Sequence, residues 1–285
     1  MPAIPLDTIP NAAPFLKWAG GKSQLLKQYE QFIPDRDQIG RYFEPFIGSA
    51  ALFFHIQPHH AVLSDINHKL VDVYRVVQND VEGLIQALGK HKNQKAYYYR
   101  IRKQKPERLS PVAQAARLIF LNKTCYNGLY RENSKGEFNV PFGRYKNPTI
   151  CDEERLRTAS CVLQGVDLQD DDFEAAVASA QAGDFIYFDP PYVPLTATSN
   201  FTSYNKYGFS HDDQVRLAET FRKLDRRGCY VMLSNSSADV VYDLYKDYDK
   251  VKIKARRSIN SKADGRGPVT ELLITNGDWR QILGN

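Results

Sequence analysis

Four short apolar runs, each ending in polar or turn residues and each followed by a stretch of helical periodicity, constrain this chain more than any other feature. The runs lie at 41–46, 61–63, 185–188 and 230–233, and the helical stretches at 49–56, 67–78, 211–226 and 238–245. Strands that alternate with helices predict an α/β fold built on a doubly wound, mostly parallel sheet. Two last strand-like runs, 250–256 and 270–275, are separated by a Gly- and Ser-containing stretch with no apolar helix, so they are predicted to pair antiparallel at the sheet edge. With 285 residues, 42% of them hydrophobic, the chain can bury one good core and has room for an inserted module.

The charge pattern predicts where that module lies. Between residues 90 and 146 there are 14 Lys or Arg against three acids (Glu107, Glu132, Glu137), a local balance of +11 in a chain of +5. The remainder therefore carries −6. Over 90–108 a solvated helix face explains the charge as well as a binding surface does. From 123 to 146 the cations alternate with Tyr126, Tyr130, Phe138, Phe142 and Tyr145 around the turn signal Asn133-Ser134-Lys135-Gly136. A hairpin carrying cations and rings together suits nucleic acid, because cations hold phosphates and rings stack or wedge at bases.

Other classes are disfavoured. No apolar run approaches the ~18 residues of a membrane span, and the opening residues 1–10 form a Pro-dotted arm without the charged start and apolar middle of a signal peptide. Cys125, Cys151, Cys161 and Cys229 include no Cys-x-x-Cys pair and have no His at metal spacing, which predicts neither zinc nor disulfides and fits a reducing cytoplasm.

Chemistry is expected at the carboxyl ends of the strands. Asp189-Pro190-Pro191-Tyr192 follows directly on Phe185-Ile186-Tyr187-Phe188. The lone pair of an amino group on a nucleobase is delocalised into the ring, so that nitrogen attacks only after acceptors draw on its hydrogens. Asp189 supplies one acceptor. The carbonyl of Pro190 supplies another, aimed by two prolines that stiffen the backbone and bring no competing N–H. Tyr192 can stack on the base, which must be flipped out of a duplex to reach such a pocket. The plain alternative is a turn after a strand.

Glu44-Pro45-Phe46-Ile47-Gly48-Ser49-Ala50 runs from a strand end into a helix, and Asp65 stands 17 residues past Gly48 at the end of the next strand-like run. A small-residue turn followed by an acid that can accept from ribose hydroxyls suggests an adenosine moiety. Gly21-Lys22-Ser23 imitates the end of a phosphate loop, but the motif needs Gly where this chain has Leu16 and a strand where it has a Pro-containing arm. Asp172-Phe173, after the apolar–polar alternation of 162–168, reads by itself as a helix cap.

Taken together, Leu16-Lys17-Trp18-Ala19-Gly20-Gly21-Lys22, Glu44-Pro45-Phe46-Ile47-Gly48, Ser64-Asp65-Ile66-Asn67, Cys125-Tyr126-Asn127-Gly128-Leu129-Tyr130-Arg131, Gly136 to Tyr145 and Asp189-Pro190-Pro191-Tyr192 resemble the Dam-type DNA adenine methyltransferases, which recognise 5'-GATC-3'. The resemblance covers nearly all of the chain after residue 14, in the order of the family's alpha arrangement. It implies a Rossmann-like methyltransferase sheet formed by 1–75 and 160–285, with 76–159 an inserted, mainly helical target-recognition domain carrying the β-hairpin. It further implies S-adenosylmethionine as methyl donor, S-adenosylhomocysteine as product, no metal, and methylation of the adenine amine in duplex DNA.

Position by position, the resemblance puts Trp18, Lys22, Glu44, Phe46, Gly48, Asp65, Asp172 and Phe173 at the cofactor, with Asp65 on the ribose and Asp172 and Phe173 near its adenine. Asp189 is shared between cofactor and target amine, and Pro190, Pro191 and Tyr192 complete the catalytic segment. Lys17 resembles the reader of the first guanine; Tyr126 wedges into the duplex, Asn127 and Leu129 meet the central pairs, Arg131 holds a guanine edge, and Arg144 and Tyr145 grip phosphate. One departure stands out: the family has a second Gly two residues after the first in the cofactor loop, where this chain has Ala50. The expected partners are double-stranded DNA and a separately acting cognate restriction endonuclease, with no membrane and a monomeric enzyme. A carbon-5 cytosine methyltransferase is disfavoured because the chain has no Pro-Cys for its nucleophile. A cytosine-amine or RNA methyltransferase shares the pocket logic, and a catalytically silent DNA-binding regulator would keep the hairpin but could dispense with Asp189 and Asp65.

Overall fold

In a computed structural model of the chain, residues 12–195, 208–256 and 268–277 are described. The N-terminal arm and the Gly- and Ser-containing stretch before the last strand lie outside them. Among the described residues seven strands form one mixed sheet: β1 Tyr42–Glu44, β2 Ala61–Ser64, β3 Asp167–Gln169, β4 Phe185–Phe188, β5 Tyr230–Ser236, β6 Asp249–Arg256 and β7 Pro268–Thr275. Their spatial order is β3-β2-β1-β4-β5-β7-β6. The pairs β1–β2, β1–β4 and β4–β5 are parallel, whereas β7 runs antiparallel to both β5 and β6. The expected antiparallel edge pair is therefore present, with β6 outermost. Chain order reverses between β1 and β4, and the loops leaving those two strands diverge there, which is where an open α/β sheet makes room for ligands.

The helices are α1 Leu26–Tyr29, α2 Ala51–Ile56, α3 His68–Asn79, α4 Val81–Leu88, α5 Lys95–Arg102, α6 Pro111–Thr124, α7 Glu153–Val162, α8 Phe173–Ala176, α9 His211–Arg226 and α10 Asp239–Leu244. All four residues of β4 are buried, as a strand with parallel neighbours on both sides requires. The helix α9 starts where its sequence says it should: Ser210 and Asp213 cap each other's backbone in a capping box, and Leu217, Ala218, Phe221 and Leu224 form its buried stripe.

The chain divides into two compact units. One comprises residues 22–47, 56–66 and 169–285 and carries the sheet's central strands; its core joins Phe43, Ile186, Phe188, Val231 and Leu233 to the buried faces of α9 and α10. The other comprises 1–21, 48–55 and 67–168 and is mainly helical. The helix α6 is its hub, capped by Ser110, started by Pro111 and buried along most of its length against α3, α4 and α5. The boundaries thus fall at 21/22, 47/48, 55/56, 66/67 and 168/169, so that the segment before residue 22 and α3 belong with the middle of the chain.

The expected hairpin of the middle segment is looser than a pair of strands. Around the turn closed by Gly136 N–H to the Asn133 carbonyl, only two isolated antiparallel bridges form, Glu132 with Phe138 and Cys125 with Phe142. Pro141 cannot donate to a ladder, and Asn127 holds a left-handed backbone (φ +55°), so regular pairing cannot propagate.

Candidate active site and nucleic-acid interface

In the sheet-bearing unit the strand ends bring three acids forward: Glu44 at the end of β1, Asp65 after β2 and Asp189 after β4. Lys22 Nζ lies 2.8 Å from Asp189 Oδ1, with Lys22 only 4% exposed and Asp189 21%. Burial pushes the Asp189 carboxyl above the usual carboxylate range; Lys22 opposes that shift without cancelling it, and the charge of Glu271 adds to it. A carboxylate held this way is a stronger hydrogen-bond acceptor than one in water. The phosphate-loop imitation at 21–23 is spent on this ion pair, with Lys22 opening a short 3-10 turn and no strand before it among the described residues.

The segment after β4 is fixed from several sides. Gln214 Nε2 donates to the Pro191 carbonyl at 3.0 Å, the Val193 N–H donates to Asn235 Oδ1 at 3.2 Å, and Asn235 Nδ2 donates to Gln214 Oε1 at 3.1 Å. Both amides are buried. The Tyr192 hydroxyl donates to Glu271 Oε2 at 2.8 Å, and Lys22 Nζ stands 4.8 Å from the centre of its ring. Beneath these, Tyr29 and Tyr187 share Ser234, and Tyr42 donates to Glu44 Oε2 at 2.8 Å. Burial raises all four phenols, those of Tyr29, Tyr42, Tyr187 and Tyr192, far above their ordinary value, so they stay neutral, and Tyr42 and Tyr192 donate.

Beside this network Phe46 stacks on Phe173, with ring centres 5.7 Å apart and planes at 26°, and Phe209 meets both. Asp172 is the cap of α8, accepting from the Glu174 N–H, and it is also paired with Arg216 at 2.9 Å. The bland reading of Asp172 as a helix cap is therefore realised. Arg216 also lies over the Phe173 ring. The Asp65 N–H donates to the Gln169 carbonyl, which fixes the chain as it leaves β2. The rings of Phe46 and Phe173 and the half-buried carboxylates after β2 and after β4 fit the groups of an adenosine carrying a sulfonium, with an apolar surface for a purine, an acceptor for hydroxyls and a negative charge for a cation.

In the helical unit, Trp18 stacks on Tyr130 with centres 5.3 Å apart and planes at 23°. Gly48 has φ +45°, and any Cβ there would stand 2.9 Å from Trp18 Cδ1, so both conformation and contact demand glycine. Its carbonyl accepts from the Tyr74 hydroxyl. Ala50 also adopts a left-handed conformation (φ +52°) and is fully buried, a backbone that suits glycine better than alanine.

Lys17 and Tyr145 come together, with Lys17 Nζ 4.0 Å from the ring centre. The Asn122 side chain binds Lys17 through both its N–H and its carbonyl and also donates to the Gly128 carbonyl. Gly128, at φ +65°, lets the Lys17 side chain pass where a Cβ would be 2.7 Å away. Tyr126 is 43% exposed and Arg144 is exposed. Arg131 Nε donates to Asn139 Oδ1 at 2.6 Å, and Leu129 is half-buried against the core of the unit. Asn122, Gln214, Arg216, Asn235 and Glu271 belong to these arrangements without standing in any motif named above. A polar pair closing an apolar strand at Asn235, and a lone acid inside the apolar run of β7, are the two signals that the sequence does contain.

Residues 18–259 match the family described as D12 class N6 adenine-specific DNA methyltransferase. A type II methyltransferase of Lactococcus lactis, M1.LlaDCHI, is 46% identical over 93% of this chain and 96% of its own length. M.MjaIII, a type II methyltransferase of Methanocaldococcus jannaschii, is 47% identical over 92% and 98%. The DNA adenine methylase of Escherichia coli K12 is 35% identical over 91% and 93%.

Proposed function

The chain belongs to the D12 class of N6 adenine-specific DNA methyltransferases, and on that premise we propose that it methylates the adenine of 5'-GATC-3' in duplex DNA after flipping that base toward Asp189-Pro190-Pro191-Tyr192. Its membership makes it an enzyme that uses S-adenosylmethionine and acts on DNA. The observation that carries the proposal is the Lys22–Asp189 ion pair after β4, an acid kept in place and kept basic by burial.

S-adenosylmethionine, when bound, supplies an electrophilic methyl group on a good leaving group. The protein's residues prepare the nucleophile. Asp189 accepts one hydrogen of the amine and the Pro190 carbonyl accepts the other, which draws the nitrogen's lone pair out of the purine ring. Tyr192 stacks on the everted base, and the surplus amine proton leaves after transfer. Trp18, Lys22, Glu44, Phe46, Gly48, Asp65, Asp172 and Phe173 are assigned to the cofactor; Asp172, already engaged as a cap, has its second oxygen to offer.

Recognition is assigned to the segment 76–159, and catalysis to 1–75 with 160–285. Lys17 and Arg131 read guanines, Asn127 and Leu129 meet the central pairs, Tyr126 fills the space left by the flipped base, and Arg144 and Tyr145 hold phosphates. The exposure of Tyr126 and Arg144 supports these roles. The GATC assignment rests on the resemblance of 125–131 and 136–145 to Dam-type recognition segments. We assign the chain to a monomer acting in the cytoplasm; a separately acting endonuclease beside it is what the type II names of two relatives suggest.

The test is methyl transfer to duplexes carrying GATC and each single-base variant of it. Replacing Asp189 by Ala would strand the buried Lys22, so Asp189→Asn, which keeps an acceptor for it, is the cleaner variant. Asp189→Asn is expected to fold and to lose transfer by roughly 100-fold or more. Near wild-type transfer by that variant would refute the assignment of Asp189, and equal methylation of the variant duplexes would refute GATC.

A further inference from the structure

The hydroxyl of Tyr192 ends on a residue 79 positions away, Glu271, in the middle of β7. Glu271 lies in register with Ser236 of β5 and Ile253 of β6, and the next three residues, Leu272, Leu273 and Ile274, are buried hydrophobics. An acid in such a run gains nothing from the sheet. It stands half-buried at the start of that run, and its oxygen is used on the phenol of the catalytic segment.

We propose that Glu271 is a positioning residue for methyl transfer, tethering the far end of the Tyr192 ring so that the ring is already in place to stack on the target adenine. The inference rests on the reading that Tyr192 faces that base. The backbone around Tyr192 is held by Gln214 at Pro191 and by Asn235 at Val193. Those bonds fix the Cα but leave the two side-chain torsions free. A ring that must meet a flipped base face to face needs its plane fixed to within about 10–20°, and a bond at the hydroxyl, the point farthest from the pivot, does that most effectively. Lys22, 4.8 Å from the ring centre and bonded to Asp189, ties the ring's face to the same carboxylate that accepts the amine hydrogen. Tether and acceptor are thereby referenced to one another.

The experiment measures kcat, KM for DNA and duplex affinity for Glu271→Gln, Glu271→Leu, Tyr192→Phe, the double variant Glu271→Leu with Tyr192→Phe, and Tyr192→Ala. Glutamine still accepts from the phenol, whereas leucine does not. Glu271→Leu is expected to lower kcat roughly 10- to 100-fold while leaving DNA affinity unchanged, because misplacement of a positioned group is felt in the transition state. Glu271→Gln restores most of the rate. Tyr192→Phe, which also takes the hydroxyl away from Asp189, should fall at least as far as Glu271→Leu, and the double variant should fall no further than Tyr192→Phe alone. A Glu271→Gln variant as impaired as the leucine variant would overturn the proposal, since the charge and not the tether would then matter. So would effects that multiply in the double variant, or a Glu271→Leu enzyme with wild-type kcat. If Tyr192→Ala is inactive while Glu271→Leu is normal, the role of Glu271 alone fails; if Tyr192→Ala transfers normally, the reading of Tyr192 fails with it.

Discussion

Residues 189–193 and residues 125–131 are both short, irregular stretches assigned to the substrate, and they are held in opposite ways. The first is bonded by side chains from distant parts of the chain: Lys22, Gln214, Asn235 and Glu271. The second is bonded mostly to itself and its neighbours, through Gly128 N–H to Cys125, Leu129 N–H to Tyr126, Tyr126 N–H to Pro141 and Arg131 to Asn139. Its long-range ties are Asn122, which joins it to Lys17, and the stack of Tyr130 on Trp18. Chemistry on an amine tolerates little misplacement, so its acceptors are fixed by a network that no single loop could supply. Base reading needs side chains that reach outward from a locally stable turn.

If the recognition stretch does hang on Asn122, removing that side chain has the largest expected effect. Asn122→Ala leaves the Lys17 N–H, the Lys17 carbonyl and the Gly128 carbonyl without their partner, and should destabilise the protein by about 3 kcal/mol in denaturant unfolding. A loss under about 1 kcal/mol would mean that the stretch supports itself. Within the stretch, Arg131→Ala should cost about 1–3 kcal/mol of binding and relax preference at one base pair, whereas Arg144→Ala should weaken all duplexes alike and flatten the dependence on salt. Uniform losses in both would show base and phosphate contacts to be wrongly sorted.

Smaller effects sharpen the contrast in the helical unit's supporting parts. Ala50→Gly relieves a left-handed alanine and should raise stability by up to about 1 kcal/mol, less what glycine's freedom in the unfolded chain takes back. Lower stability for Ala50→Gly would mean that the methyl group's packing outweighs the strain. Lys123, at the end of α6, is pulled down to about 8 by burial and by the charges of Arg155 and Lys17. Its folded value lies below the unfolded one, so the unfolded chain binds the extra proton between about pH 8 and about pH 10.4, and stability contributed by this group rises with pH across that window. Lys123→Met should remove that rise in melting temperature; an unchanged slope would assign it to other groups.

How much of this was legible in the sequence differs between the two stretches and between local and distant features. The helix α9 has the bounds that its periodicity predicts, 211–226, because its cap and its apolar stripe are both local. The strand after it runs on to Ser236, three residues past its apolar run, because the Ser234 and Asn235 side chains are recruited by Tyr29, Tyr187 and Val193 and the backbone pairs with β7 as far as Ser236. Nothing near them in the chain announces those partners. The hairpin's turn was legible from Asn133 to Gly136, while its failure to form continuous strands depends on backbone angles at Asn127 and on Pro141.

The sequence by itself determined the α/β class, the position of Asp189-Pro190-Pro191-Tyr192 at a strand end, and the family, because hydrophobic period, turn chemistry and contiguous motifs are all local properties. Only the tertiary structure decided that Lys22 is the partner of Asp189, that Gln214 and Asn235 hold the backbone beside it, and that Glu271 receives the Tyr192 hydroxyl. Each of those contacts joins residues far apart in the chain. They exist because the sheet's strand order and the antiparallel return of β7 carry those side chains to one end of the sheet, a consequence of topology that no window of sequence contains.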